Sequence, residues 1–176
     1  MRDIQVNIFD PRSMQVATHQ LESYLADLQD RANRICERLA SIGRVRAEIV
    51  FSNAIYDGVN DVSVTAEPIT NGYAVRASGN AVMFIEFGAG VYYNGTGSYP
   101  GNLEPGVVGI GQYGQGRGSN DWWLYRGSPG NAGGVQSTID TSLTITHGNP
   151  PAAAMYEAQQ ECIRQIETVV NEVFNT

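Results

Sequence analysis

Histidine and cysteine are scarce, with two of each in 176 residues. Cys36 and Cys162 fall on separate helical patterns, form no Cys-x-x-Cys pair and have no histidine clustered with them. No metal site is expected from such a set, and no cofactor. The cysteines read as small core residues in a reducing compartment, with a bridge between the two helices as the weaker alternative. His19 and His147 are each isolated, and no serine sits in a Gly-x-Ser-x-Gly elbow, so neither a catalytic triad nor a metal-bound water is encoded. No apolar stretch reaches the roughly 20 residues of a membrane span. The N-terminus has no apolar run with basic flanks, so no signal peptide is expected, and there is no tandem repeat. Cations are few, 11 against 18 acidic residues, for a net charge of −7. That argues against a sequence-reading DNA binder, which clusters Lys and Arg against phosphates. It remains compatible with a wall that DNA slides past, or with solubility alone.

What is present suits one domain over residues 1–176, with hydrophobic residues at 42%. Residues 2–9 alternate through Ile4, Val6 and Ile8 and predict a short strand. Asp10-Pro11 is a capping residue followed by the residue best suited to the first helical position. Leu21, Leu25, Leu28, Ala32, Ile35, Leu39 and Ile42 then recur at spacings of three and four. They predict one long helix over residues 11–42, stopped by Gly43. Val45, Ala47, Ile49 and Phe51 alternate and predict a strand over 45–54. Strands over 61–69 and 73–78 flank Asn71-Gly72, a strong hairpin signal, and 81–87 completes a meander. Met155, Ala158, Cys162, Ile166, Val169 and Val173 stripe a second helix over 151–173, with Pro151 at its start. The fold class is α+β: an antiparallel sheet of four to five strands packed with a long N-terminal helix and a C-terminal helix.

Residues 88–149 hold most of the 20 glycines and read as a long insertion, with a short strand between Val135 and Ile145. Its aromatics, Tyr92, Tyr93, Tyr99, Tyr113, Trp122, Trp123 and Tyr125, are unlike a disordered linker and point to ordering by neighbouring subunits. Trp122, Trp123, Tyr125, Tyr92, Tyr93 and Tyr113 are the interface candidates, because Trp and Tyr dominate interface energetics. Adjacent tryptophans on an extended segment face opposite sides, so one anchors while the other reaches a partner. The alternative is that both cover the subunit's own core. Gly109 to Gly114 spells a dinucleotide fingerprint by letters but neither follows a buried strand nor opens an amphipathic helix.

Glu86 in Phe84-Ile85-Glu86-Phe87-Gly88 has no second acid or base at a matching position. It reads as a carboxylate that binds backbone amides or an arginine where the chain turns. His147-Gly148-Asn149-Pro150-Pro151 reads as geometry for a helix entry: a free backbone angle, a capping amide and two fixed φ angles.

The order of these elements resembles the head–tail joining, or tail completion, family of neck proteins of long-tailed bacteriophages. The likeness runs through Tyr56-Asp57-Gly58, Asn60-Asp61-Val62, the Asn71-Gly72 hairpin, Ile85-Glu86-Phe87-Gly88, Trp123-Leu124-Tyr125 and Thr146-His147-Gly148 with the proline-led helix. It implies a structural virion protein with no active site, made in the host cytoplasm and assembled with itself into a ring, typically a hexamer. The ring would join the capsid connector to the tail tube while genomic DNA passes through without sequence-specific binding. No membrane is involved. Asp57 and Asp61 are candidates for an acidic inner wall. A tail terminator ring capping the tube is the neighbouring alternative, and a phage-derived hydrolase using Glu86 is the alternative of another class.

Overall fold

Asp10 and Pro11 start the first helix as their chemistry dictates. In a computed structural model describing residues 4–7, 9–90 and 122–175, Asp10 Oδ1 accepts from the Arg12 amide at 3.0 Å. Residues 4–7 are not a strand. Asn7 instead closes a turn into the helix: its side chain accepts from Phe9 N at 3.1 Å and its amide donates to Ser13 Oγ at 2.8 Å. The helix α1 (Pro11–Ser52) then runs for 42 residues, about 63 Å.

Gly43 does not stop it, and the strand expected over 45–54 is the last part of α1. The reason lies in which residues are buried. Gly43, Ala47 and Phe51, four apart, face the core, while Val45 and Ile49, also four apart, are exposed on another face. A period-2 pattern and a period-4 pattern share these letters, and the core selects the second. Gly43 is there because of its size. A Cβ on it would lie 2.9 Å from Cys162 Sγ, on the helix α3 (Ala154–Phe174) that packs antiparallel to α1. The pairing is fixed by Arg46–Glu157 at 2.8 Å, Cys162 Sγ–Leu39 O at 3.2 Å and Arg38–Glu172 at 2.6 Å. Cys36 and Cys162 are free thiols, and burial raises the pKa of Cys162. At its far end α3 stops at Arg31, whose guanidinium donates to the carbonyls of Val173 and Phe174 and lies over the Phe174 ring.

Strand β1 (Ser63–Ile69) pairs antiparallel with β2 (Gly72–Ser78), and the hairpin lies on α1. The Asn-Gly signal marks the turn, whose two central residues are Thr70 and Asn71. The third meander strand is instead a short helix, α2 (Val82–Phe87). Ala81 and Ile85, four apart, are buried, and Ile85 N donates to Ala81 O at 2.9 Å. Asp61 begins this helix. Its carboxylate accepts from the amides of Asn80 and Ala81, both at 2.9 Å. The core between these elements joins Ala47, Phe51, Val64, Ala81, Ile85, Ala154 and Ala158. Its many alanines let backbones approach closely.

The class is α+β with antiparallel strands, divided among three small sheets rather than gathered in one. Within the segment read as a long insertion with one short strand between Val135 and Ile145, the described part holds five strands, two of them in that stretch. They are β3 (Ala89–Gly90), β4 (Trp123–Arg126), β5 (Val135–Gln136), β6 (Leu143–Thr146) and β7 (Gly148–Asn149). β3 pairs with β7, and β4, β6 and β5 form a three-stranded sheet in that order. Tyr92, Tyr93, Tyr99, Tyr113 and the Gly109–Gly114 letters lie outside the described residues. Among the described residues, no helix is long and apolar enough to cross a membrane.

Two outcomes follow. Gly43→Leu should push α1 and α3 apart and lower the unfolding free energy by about 1–3 kcal/mol in urea titration; an unchanged midpoint would mean the helices do not meet there. The amide hydrogen bonds to Asp61 hold its carboxyl pKa below the ordinary value of 3.8. A depressed folded-state pKa gives stability that is present above the unfolded value and lost as pH falls through the folded one. Asp61→Asn should therefore flatten the loss of stability below about pH 4, read from thermal midpoints between pH 2 and 6.

Candidate functional site

Two motifs about sixty residues apart in sequence meet at one joint. Glu86, on α2, is 3% exposed. Its carboxylate accepts from Met155 N at 2.9 and 3.2 Å and from Tyr156 N at 3.4 Å, both in the first turn of α3. Helix N-termini carry unpaired amides and partial positive charge, so a buried carboxylate there is doubly favourable. The helix needs it, because its own capping position is Ala153, held at φ 51° with no side-chain cap. Glu86 thus binds backbone amides, as its context suggests, from a helix rather than a strand end.

The rest of the joint is backbone. Ala152 N donates to Ile85 O at 2.8 Å and Ala153 N to Glu86 O at 3.1 Å. Asn149 Nδ2 donates to Phe84 O at 2.9 Å. Gly88, at φ 79°, passes so close that a Cβ would lie 2.8 Å from Pro151 N, and Gly148 takes φ 104° as expected. Phe87, Pro150 and Pro151 are half-buried around it, and His147 is exposed. Pro151 precedes the helix rather than opening it, since α3 begins at Ala154.

Asp57 organises the other side, and sequence reasoning assigned it wrongly to an acidic wall. It is buried. It accepts from Thr146 Oγ1 at 2.6 Å, Gly134 N at 3.1 Å and Ala132 N at 3.2 Å. Gly130 and Gly134 lie against Tyr56 and Asp57 so closely that neither position has room for a Cβ. The only sequence signal was the Tyr-Asp-Gly turn together with glycines whose partner was unknown. Asp57 pins the loop before β5 and the end of β6 to the turn after α1. A cleft of about 320 Å³ opens beside it, lined by Tyr56, Phe84, Trp123 and Tyr125. Burial, first of all, raises the pKa of both tyrosines, so they stay neutral donors, and Tyr125 Oη donates to Ser128 O at 2.7 Å. Such a cleft accepts an apolar or aromatic group. Among the described residues no three His, Cys, Asp or Glu gather as a metal site.

The three-stranded sheet is built inside out. Thr144 and Thr146 point inward at 0% and 2% exposure, bonded to Gly127 O and Asp57. The register sets Leu124, Ile145 and Val135 side by side in one row on the opposite face. Leu124 is 46% and Val135 64% exposed. The two tryptophans do part: Trp123 joins Tyr125 on the inward face along the cleft, and Trp122 is exposed next to Leu124.

Comparison with protein-family models, with curated proteins and with solved structures yields no match. The likeness to the neck family rests on the residues quoted for it.

Glu86→Ala should leave buried amides at the start of α3 unpaired and cost about 2 kcal/mol in unfolding free energy. Glu86→Gln, which keeps an acceptor but loses the charge, should cost less. Equal losses for the two variants would show that a neutral acceptor does not serve this joint and that the charge carries it, whereas no loss for Glu86→Gln would show that charge plays no part.

Proposed function

We propose that this chain is a structural subunit of a bacteriophage neck, assembled as a ring between the capsid connector and the tail tube. In the family it resembles the ring is typically a hexamer. It works by shape, giving each neighbour in the virion a surface to seat on. The observation that carries this reading is unburied apolar surface on the first helix. The core stripe of α1 continues past the end of α3 through Leu25 and Leu21, which are 64% and 51% exposed, with Met14 and Tyr24 beside them. A monomer rarely leaves such a stripe wet, and a subunit that meets copies of itself covers it.

A hydrolytic role would need Glu86 to face a substrate. Its carboxylate instead accepts from the amides that start α3. A tail terminator ring uses the same subunit properties and differs in its neighbours, namely the tube end on one side only. Native mass spectrometry and negative-stain imaging of the full chain test the reading: a closed ring, six copies in the leading form, supports it. A monomer at every concentration, with or without connector and tube proteins, overturns it.

The charge carries a further expectation. Six copies of a −7 chain surround the passing DNA, and phosphate repulsion keeps that passage free of sticking. The assembled ring should bind duplex DNA with a dissociation constant of about 100 µM or weaker at physiological salt, measured by fluorescence anisotropy. Tight binding with steep salt dependence would point to a DNA-gripping role.

A further inference from the structure

Among the described residues, exposed apolar side chains gather on two surfaces that face different parts of the molecule. One is the outer face of the three-stranded sheet, with the Leu124–Ile145–Val135 row. Two interstrand spacings make it about 10 Å wide, and the four-residue strands β4 and β6 make it about 13 Å long, with β5 spanning half of that. The other is the α1 stripe of Leu21, Tyr24 and Leu25, with Met14 exposed beyond the buried Ala17, on a helix about 10 Å across. A sheet needs a second layer on any face that is apolar, and the usual second layer is a helix. Among the described residues nothing supplies one here. Among the described residues the sheet face leaves Leu124 and Val135 exposed, and the start of α1 leaves Met14, Leu21, Tyr24 and Leu25 exposed.

Charge selects the occupant. Arg126 stands on the same sheet face, next to Leu124 and opposite Leu143. Its guanidinium donates to Ser142 Oγ at 3.2 Å and meets no carboxylate within ion-pairing distance among the described residues. On α1, Glu22 flanks Leu21 and Leu25, with its side chain 70% exposed and His19 as its one ionic neighbour among the described residues, at 3.8 Å. An exposed Arg126 beside an apolar row fits an exposed Glu22 beside an apolar stripe.

Resting on the ring reading above, we infer that the N-terminal half of α1 of one copy docks on the outer face of the β4–β6–β5 sheet of the next, with Glu22 against Arg126. The contact is head-to-tail. Each copy offers its helix to one neighbour and its sheet to the other, which is the arrangement that closes a ring. It makes Trp122 a contact residue, while Trp123 stays on the subunit's own cleft.

The test uses the full chain and two double variants: Leu21→Glu with Leu25→Glu, and Leu124→Glu with Val135→Glu. All these side chains are at least 46% exposed, so circular dichroism and monomer melting should match the wild type. By native mass spectrometry each double variant alone should be monomeric. Their equimolar mixture should give a dimer that grows no further, because one intact helix and one intact sheet remain between them. Glu22→Arg and Arg126→Glu should each raise the half-assembly concentration about tenfold, and together restore it. A mixture that stays monomeric, a sheet variant that still dimerises through α1, or no restoration by the charge swap would overturn the docking. Rings that persist in either double variant would overturn it while leaving the ring reading intact. A wild type that never assembles would take both down together.

Discussion

The Glu86 carboxylate on the first amides of α3 is the constraint on which the rest of this structure depends. It joins the α2 corner to the C-terminal helix, and α3 in turn covers the C-terminal half of α1. The geometry is demanding. Ala153 must take a left-handed angle, Gly88 must lie flat against Pro151, and α2 must be a helix so that Glu86 points across the gap. A buried carboxylate without those amides would be costly, and a helix start without that carboxylate would leave amides unpaired. Each needs the other, so two distant motifs behave as one unit.

Asp57 repeats the device on a smaller scale. A buried acid accepts from two amides and a threonine hydroxyl, and it fixes a glycine-rich loop that has little apolar content of its own. Because Asp57 and the threonines turn β6's polar side inward, its leucine and isoleucine positions face outward. The inverted sheet is thus a consequence of how the loop is anchored. The aromatic cleft follows from the same anchoring, since Trp123 and Tyr125 share the inward face with Thr144 and Thr146.

The long helix divides into two halves of different exposure. Its C-terminal half is core, lined by Ala40, Gly43, Ala47 and Phe51. Its N-terminal half carries the same stripe, with Leu21, Tyr24 and Leu25 exposed around a buried Ala17.

Much of this was legible in the letters. Asp10-Pro11 marked where α1 begins, the leucine stripe marked its face, and Asn71-Gly72 located the hairpin turn. Glu86 was recognisable as a carboxylate for amides, and Gly148 as a bent backbone. Two elements were misread for one reason. In 45–51 and 81–87, small apolar residues recur at both every second and every fourth position. Only the packed neighbours decide which set is buried: Gly43, Ala47 and Phe51 against α3 and the hairpin, and Ala81 with Ile85 in the core. Local sequence therefore determined starts, turns and the presence of an apolar stripe, because capping and turn chemistry act over a few residues. Tertiary structure alone decided that Gly43 is a contact rather than a stop, that Asp57 is a buried anchor rather than a surface charge, and which face of the last sheet meets water. Each of those depends on a partner 60 to 120 residues away, and no local preference reports a partner at that distance.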